Sequence, residues 1–208
     1  MAIDKWLDRC PLIVILRGIQ THEVEPLFSA LFSLGIVIAE IPLNSPEPLR
    51  SIRQAVSLYG DRMLVGAGTV TQVSEVRAAE EAGARLIVSP NADPSVVREA
   101  KRLDLVAIPG VATATEAFAM IEAGADALKV FPADVMGPRF VTGLRAVMPA
   151  GTIFVPVGGV DATAIPMWRK AGAQGFGVGS ALYKPGASSD EVLERARVLL
   201  ESMRTAND

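Results

Sequence analysis

The chain has 208 residues, half of them hydrophobic, and a formal net charge of -3. That length can bury one sizeable core, and a mildly acidic chain without a basic block does not suit a nucleic-acid surface. No run of about 18 apolar residues occurs, so no membrane span is expected, and the start "MAIDKWLDRC" lacks a secretory pattern, which gives the expectation of a cytoplasmic protein.

A first helix is expected at about 2–9, with Cys10 as a small residue near its end. Cys10 is the single cysteine and cannot form an internal disulfide. The first strand is "LIVILRG" (12–18), closed by Arg17. The helix at about 22–34 has Thr21 as its expected N-cap and His22 exposed in its first turn. With one histidine and one cysteine, a histidine-rich metal site is not expected, whereas a Mg²⁺ held by carboxylates stays open.

The second strand lies in "SLGIVIAEIP" (33–42) and ends on Glu40. A carboxylate closing an apolar strand is costly unless it is used or paired. Glu40 is therefore either an acid/base group or an ion-pair partner of Arg17 or Lys129. After a helix at about 46–58, "RMLVGAG" (62–68) leads into Thr69. The Thr69 hydroxyl can hydrogen-bond a substrate carboxylate or cap the helix at about 71–82, whose "VRAAEEAGAR" reads as a solvated face. The fourth strand, in "EAGARLIVSP" (81–90), precedes a helix at 94–102, and the fifth, "DLVAIPG" (104–110), precedes one at 113–123.

The sixth strand, "ADALKVFPAD" (125–134), carries Lys129 among apolar neighbours. A buried amine either snorkels or pairs, or has its pKa lowered until it is a nucleophile able to form a Schiff base with a ketone. Alternation puts Lys129 on one face with Ala127 and Phe131. Asp126 lies toward the opposite end of the strand, and Asp134 is a possible cap. A helix at about 138–148 leads to "TIFVPVGG" (152–159), and one at 161–171 leads to "KAGAQGFGVGS" (170–180). A helix at 188–204 ends the pattern, with Trp6 and Trp168 as packing residues in helical contexts.

The turn "AGA" or a relative recurs before four of these strands, each time as a helix end, a glycine suited to the C′ position, and a new strand. The total is eight βα units of about 26 residues. Short, wholly apolar, β-branched strands fit a parallel sheet covered by helices. Eight units favour a closed (β/α)8 TIM barrel with an extra N-terminal helix over an open sheet, as a single domain spanning 1–208.

In such a barrel the chemistry lies at the C-terminal strand ends, here Arg17, Glu40, Thr69, Lys129, Val157-Gly158-Gly159 and Gly179-Ser180. The glycine turns after the last two strands suit phosphate, since backbone N–H groups can approach an anion there. Alternatively, they merely save space.

Together, "ILRGI", "AEIPLNSP", "VGAGTV", "PGVATATEA", "ALKVFPA" and "VGGV" resemble the class I 2-keto-3-deoxy-6-phosphogluconate and 2-keto-3-deoxy-6-phosphogalactonate aldolases over about residues 11–183. The resemblance implies a lyase that uses no metal or organic cofactor and works on a small phosphorylated sugar acid. It implies Lys129 as the Schiff-base nucleophile and Glu40 as the acid/base. Arg17 and Thr69 would then hold the substrate carboxylate, and Gly158, Gly159, Gly179 and Ser180 the phosphate. A homotrimer is expected on the same ground. Two departures point to the galactonate branch. Pro42 and Asn44 stand where the gluconate enzymes carry Thr and Arg, and Val157 stands where they usually carry Thr. A gluconate or dual-specificity aldolase, a phosphosugar isomerase or epimerase, and a non-catalytic phosphosugar-binding barrel are the competing expectations.

Overall fold

Four glycines at one point of the repeat, Gly35, Gly83, Gly124 and Gly172, share positive φ (79°, 89°, 98° and 100°) in the computed structural model, which describes residues 3–204. After each glycine, the next residue donates its amide to a carbonyl five residues back: Ile36 to Leu31, Ala84 to Ala79, Ala125 to Met120, and Ala173 to Trp168. This is the Schellman arrangement, which satisfies the last carbonyls of a helix and reverses the chain. It explains why the repeat needs glycine there, and it closes α2 (Val24–Ser33), α4 (Val73–Glu81), α6 (Ala114–Glu122) and α9 (Ile165–Ala171).

Nine strands follow in chain order among the described residues: β1 Leu12–Ile15, β2 Ile38–Pro42, β3 Leu64–Gly68, β4 Leu86–Val88, β5 Val106–Ile108, β6 Gly110–Val111, β7 Leu128–Val130, β8 Phe154–Pro156 and β9 Phe176–Val178. All their pairings are parallel. They form a six-stranded sheet in the order β5-β4-β3-β2-β1-β9 and a three-stranded sheet in the order β6-β7-β8. The remaining helices are α1 Asp4–Leu7, α3 Pro48–Tyr59, α5 Pro94–Arg102, α7 Ala133–Met136, α8 Pro138–Arg145 and α10 Ser189–Arg204.

The expected eight-stranded cylinder is thus observed as an α/β fold of two parallel sheets. Its expected fifth strand is divided at Pro109, which has no amide hydrogen to donate to a ladder. β5 pairs with β4 and β6 with β7, so the chain passes from one sheet to the other at this proline. Both seams carry hydrogen bonds. At one, Asp126 donates its amide to Ala107 (2.9 Å) and Lys129 to Pro109 (2.9 Å). At the other, Gln174 donates to Phe154 (3.1 Å) and Val157 bridges Gly177 in parallel. A side chain at position 177 would strike Val157.

Several local expectations shift. The first helix is shorter than 2–9, and Ala2 lies outside the described residues. Thr21 does not cap the helix after β1: it sits in a 3₁₀ turn, Thr21–Glu23, whose cap is Gln20 with Glu23 in a reciprocal capping box. His22 is exposed as expected. The helix expected at about 138–148 is α8, ending at Arg145, and a further short helix, α7, precedes it, separated by Gly137 (φ 70°). The face around Arg77 is not purely solvated, since Arg77 bonds Glu99 (2.6 Å), which also accepts from Arg102. Asp126 is fixed on the far side of β7 from the strand ends, pairing with Lys101 (2.6 Å) and accepting the Ala107 amide.

The core is formed by the strands, buried along their whole length, and one face of each helix, with Phe28, Phe154 and Phe176 fully enclosed. Gly66 marks how closely β3 and β4 approach, because an added Cβ would overlap the Leu86 carbonyl. Gly143, within α8, faces open space. Gly66→Ala is therefore expected to destabilise by about 1–3 kcal/mol through overpacking. Gly143→Ala should stabilise by up to about 1 kcal/mol through helix propensity. Denaturant unfolding measures both.

Candidate active site

Glu40 is the third residue of β2, in register with Ile15 on β1 and Gly66 on β3. β2 is an interior strand buried throughout, and Glu40 is 2% exposed. It leans toward Gly68, where any Cβ would overlap it. Gly68 therefore makes the space that the carboxylate occupies, a role that the sequence motif "GAGT" did not disclose. Glu40 Oε2 is buried with no hydrogen-bond partner among the described residues. Burial raises the Glu40 pKa to about 7, against the lowering effect of the Lys129 and Arg17 charges.

Lys129 is the middle residue of β7, opposite Gly110 on β6 and Val155 on β8, and is 5% exposed. It does not snorkel, and it makes no ion-pair contact with Glu40 or any other described residue. Its Nζ lies 4.6 Å from the ring centroid of Phe131, two residues along the strand, on the face that alternation assigns. Burial pushes the amine's pKa down, the Glu40 charge opposes that, and the Arg17 charge adds to it. A cation–π contact contributes about 0.5–2 kcal/mol. Taking an ammonium ion out of water costs several kcal/mol, so desolvation prevails and favours the neutral, nucleophilic amine.

Arg17 follows β1 and reaches over the strand ends. Its Nη1 donates to Asn44 Oδ1 (2.9 Å) and its Nη2 to Thr69 Oγ1 (3.5 Å). The three residues thus gather from the ends of β1, β2 and β3. Thr69 does not cap the next helix, because Gln72 and Glu75 form that capping box. Instead Thr69 holds φ 58°, a costly conformation for a β-branched residue. Asn44 was visible in the sequence only as a departure from a motif, and its hydrogen bond to Arg17 was not foreseen.

Arg17, Val157, Gly158, Gly159, Gly179 and Ser180 line one cavity of about 450 Å³, together with Phe131. Gly158 and Gly159 have φ 104° and 65°, and the amides of Gly158, Gly159 and Ser180 donate to no described residue. They are free to meet an anion. Asp134 lies in the first turn of α7, where its Oδ1 accepts the Val135 amide (3.1 Å), and it packs against Gly159, where an added Cβ would approach the Asp134 Cβ to 2.8 Å. Lys129, Glu40 and Thr69 are outside that lining. Phe131 links the two regions, with one ring shared by the cavity wall and the Lys129 amine. Lys184, also in the wall, was not singled out from sequence. A smaller hollow of about 270 Å³ beside α10 contains none of the predicted strand-end residues.

Among the described residues, no three His, Cys, Asp or Glu side chains are grouped to hold a metal ion, and no helix is long and apolar enough to cross a membrane. The arrangement combines a buried amine driven toward neutrality, a buried carboxyl with its pKa raised to about 7 and a glycine-lined cavity.

Comparison with known proteins gives this combination a family. The chain is 46% identical over 186 residues to a probable 2-dehydro-3-deoxy-6-phosphogalactonate aldolase of Rhizobium meliloti (strain 1021), covering 89% of this chain and 88% of that one. It is 42% identical over 202 residues to the 2-dehydro-3-deoxy-6-phosphogalactonate aldolase of Escherichia coli (strain K12), covering 97% and 98%. A solved structure described as native KDPGal superposes with a TM-score of 0.94 at 42% identity, covering 96% and 97%. A sequence model of the KDPG and KHG aldolases matches residues 3–197. The chain belongs to the KDPG and KHG aldolase family.

Proposed function

We propose that the protein is a class I aldolase that cleaves 2-dehydro-3-deoxy-6-phosphogalactonate into pyruvate and D-glyceraldehyde 3-phosphate. The observation that carries this reading is the pair Lys129 and Glu40, both buried, each with its charge opposing the other's desolvation, and free of any ion-pair contact. The names of the two curated relatives support the substrate.

In the proposed reaction the neutral Lys129 amine adds to the C2 ketone, and loss of water leaves a protonated imine. The ionised Glu40, directly or through a water, takes the proton of the C4 hydroxyl. The C3–C4 bond then breaks, its electrons pass to the imine, and C4 leaves as the aldehyde of glyceraldehyde 3-phosphate. The enamine on Lys129 gains a proton at C3, and hydrolysis of the imine releases pyruvate and the free amine. Arg17, held by Asn44 and Thr69, binds the carboxylate. Gly158, Gly159, Gly179 and Ser180 bind the phosphate. No metal or organic cofactor takes part.

The rest of the reading is architectural. The backbone hydrogen bonds at both seams support one closed (β/α)8 barrel and a single domain. Phe118 and Val135, 45% and 77% exposed, support burial of apolar surface in a homotrimer, whose mass in analytical ultracentrifugation would be three chains. The protein is proposed to work in the cytoplasm.

Borohydride reduction in the presence of pyruvate should leave one adduct of pyruvate mass, on Lys129. Lys129→Met should lose both adduct and turnover, and full turnover in that variant overturns the Schiff-base reading.

Glu40 must be ionised to accept a proton, so kcat should rise with pH through about 7. Glu40→Gln should lose that limb and about 10²–10⁴-fold in kcat, with trapping retained. The fold raises this carboxyl from 4.5 to about 7, so it disfavours the ionised form and loses stability as pH rises through that window. Glu40→Gln should accordingly gain melting temperature relative to wild type as pH increases from 4.5 to 7.

Val157 lines the cavity with both its backbone groups bonded, the amide to Val130 (3.0 Å) and the carbonyl to Ala133 (2.8 Å). Only its side chain is left to discriminate. Val157→Thr adds a donor that can meet the C4 hydroxyl of the gluco epimer, and it should shift the ratio of kcat/KM values toward that epimer by about tenfold. Rates with both epimers side by side check this.

A further inference from the structure

The loop after β9 carries a cation that the proposed chemistry does not use. Lys184 lines the same cavity as Gly158, Gly159, Gly179 and Ser180. It is exposed and forms no ion pair with a described residue. The one carboxylate in that wall is Asp161, and it is turned to its own loop. Asp161 Oδ1 accepts from the Thr163 amide (2.9 Å), the Thr163 hydroxyl (2.8 Å) and the Ala164 amide (2.9 Å). The other cation in the wall, Arg17, is engaged by Asn44 and Thr69.

The backbone beneath Lys184 is fixed. Tyr183 is buried, with its amide bonded to the Gly179 carbonyl (2.9 Å) and its hydroxyl to Glu23 Oε2 (3.1 Å). Ala187 donates its amide to the Lys184 carbonyl (2.9 Å), closing a turn. Pro185 packs onto Gly18, where a Cβ would lie 2.7 Å from the proline ring. The side chain is thus free while its origin is pinned over the glycine loops.

We propose that Lys184 is the charge partner of the substrate's phosphate and sets the preference for phosphorylated over unphosphorylated substrates, an inference that rests on the aldolase reading above. Backbone amides supply dipoles but no net charge, so a dianion bound by Gly158, Gly159 and Ser180 alone keeps its charge uncompensated. Arg17 also carries a full charge but is held by Asn44 and Thr69 and is assigned to the carboxylate, whereas no side chain holds Lys184, and a flexible ammonium suits a group that must enter and leave.

The experiment follows aldol addition of pyruvate to D-glyceraldehyde 3-phosphate and to D-glyceraldehyde in wild type, Lys184→Gln and Lys184→Arg. Lys184→Gln should raise KM for the phosphorylated aldehyde about tenfold, with kcat changed less than twofold. Its kcat/KM for D-glyceraldehyde should stay at the wild-type value, and Lys184→Arg should restore the phosphorylated KM. Added salt should raise the phosphorylated KM more steeply in wild type than in Lys184→Gln. A wild-type preference for the phosphorylated aldehyde that Lys184→Gln leaves intact, or equal losses on both aldehydes, overturns the role of Lys184 alone. A wild type that uses both aldehydes equally overturns the phosphate assignment and this inference with it, and a wild type inactive on both overturns the aldolase reading.

Discussion

Water exclusion around two ionisable side chains is the constraint on which the site depends. Glu40 and Lys129 enter from β2 and β7, strands of different sheets, and both are almost wholly buried. In water the pair would be a carboxylate and an ammonium with no useful chemistry between them. Desolvation moves each toward its neutral form, and their mutual attraction opposes that. The two tendencies leave the carboxyl near pH 7 and the amine below its usual range. One group can then exchange protons and the other can attack carbon. A direct salt bridge would hold both in their charged forms, and none forms between them.

Glycine builds the room this requires. Gly68 vacates the volume that the Glu40 carboxylate fills, and Gly66 lets β4 approach β3 beside it. Gly177 allows the Val157 bridge that joins β8 to β9, while Gly158 and Gly159 turn with positive φ beside Asp134. The four Schellman glycines do a different task, reversing helices into strands. Of all these glycines, Gly158, Gly159 and Gly177 line the cavity.

Thr69 shows where local preference yields to the site. A β-branched residue in the left-handed region is disfavoured, yet its hydroxyl there meets Arg17. Arg17 in turn lines the cavity and acts electrostatically on both buried groups. One guanidinium therefore connects Asn44 and Thr69, the glycine-lined cavity and the two buried ionisable groups, and its hydrogen bonds to Asn44 and Thr69 hold it there.

Much of this was legible in the chain alone. Period and punctuation disclosed the alternating units, since glycine after a helix and a short apolar run before a polar residue are local signals. A lysine and a glutamate within apolar runs were conspicuous because burying charge is costly, although the strands place both in mid-strand, Glu40 third of five in β2 and Lys129 in the middle of β7, rather than at the ends. The division of the fifth strand at Pro109 was less visible: a proline lacks a donor everywhere, but which sheet each half joins depends on neighbours distant in sequence. The roles of Gly68, Asn44 and Lys184 were hidden for the same reason, as each is defined by what faces it across the fold. The sequence by itself determined the repeat, the charged residues inside apolar strands and the family, because these depend on spacing along one chain. Tertiary structure alone decided that Glu40 and Lys129 are dry and unpaired and that Arg17 meets Asn44 and Thr69, because solvent exclusion and contact arise only when distant segments pack.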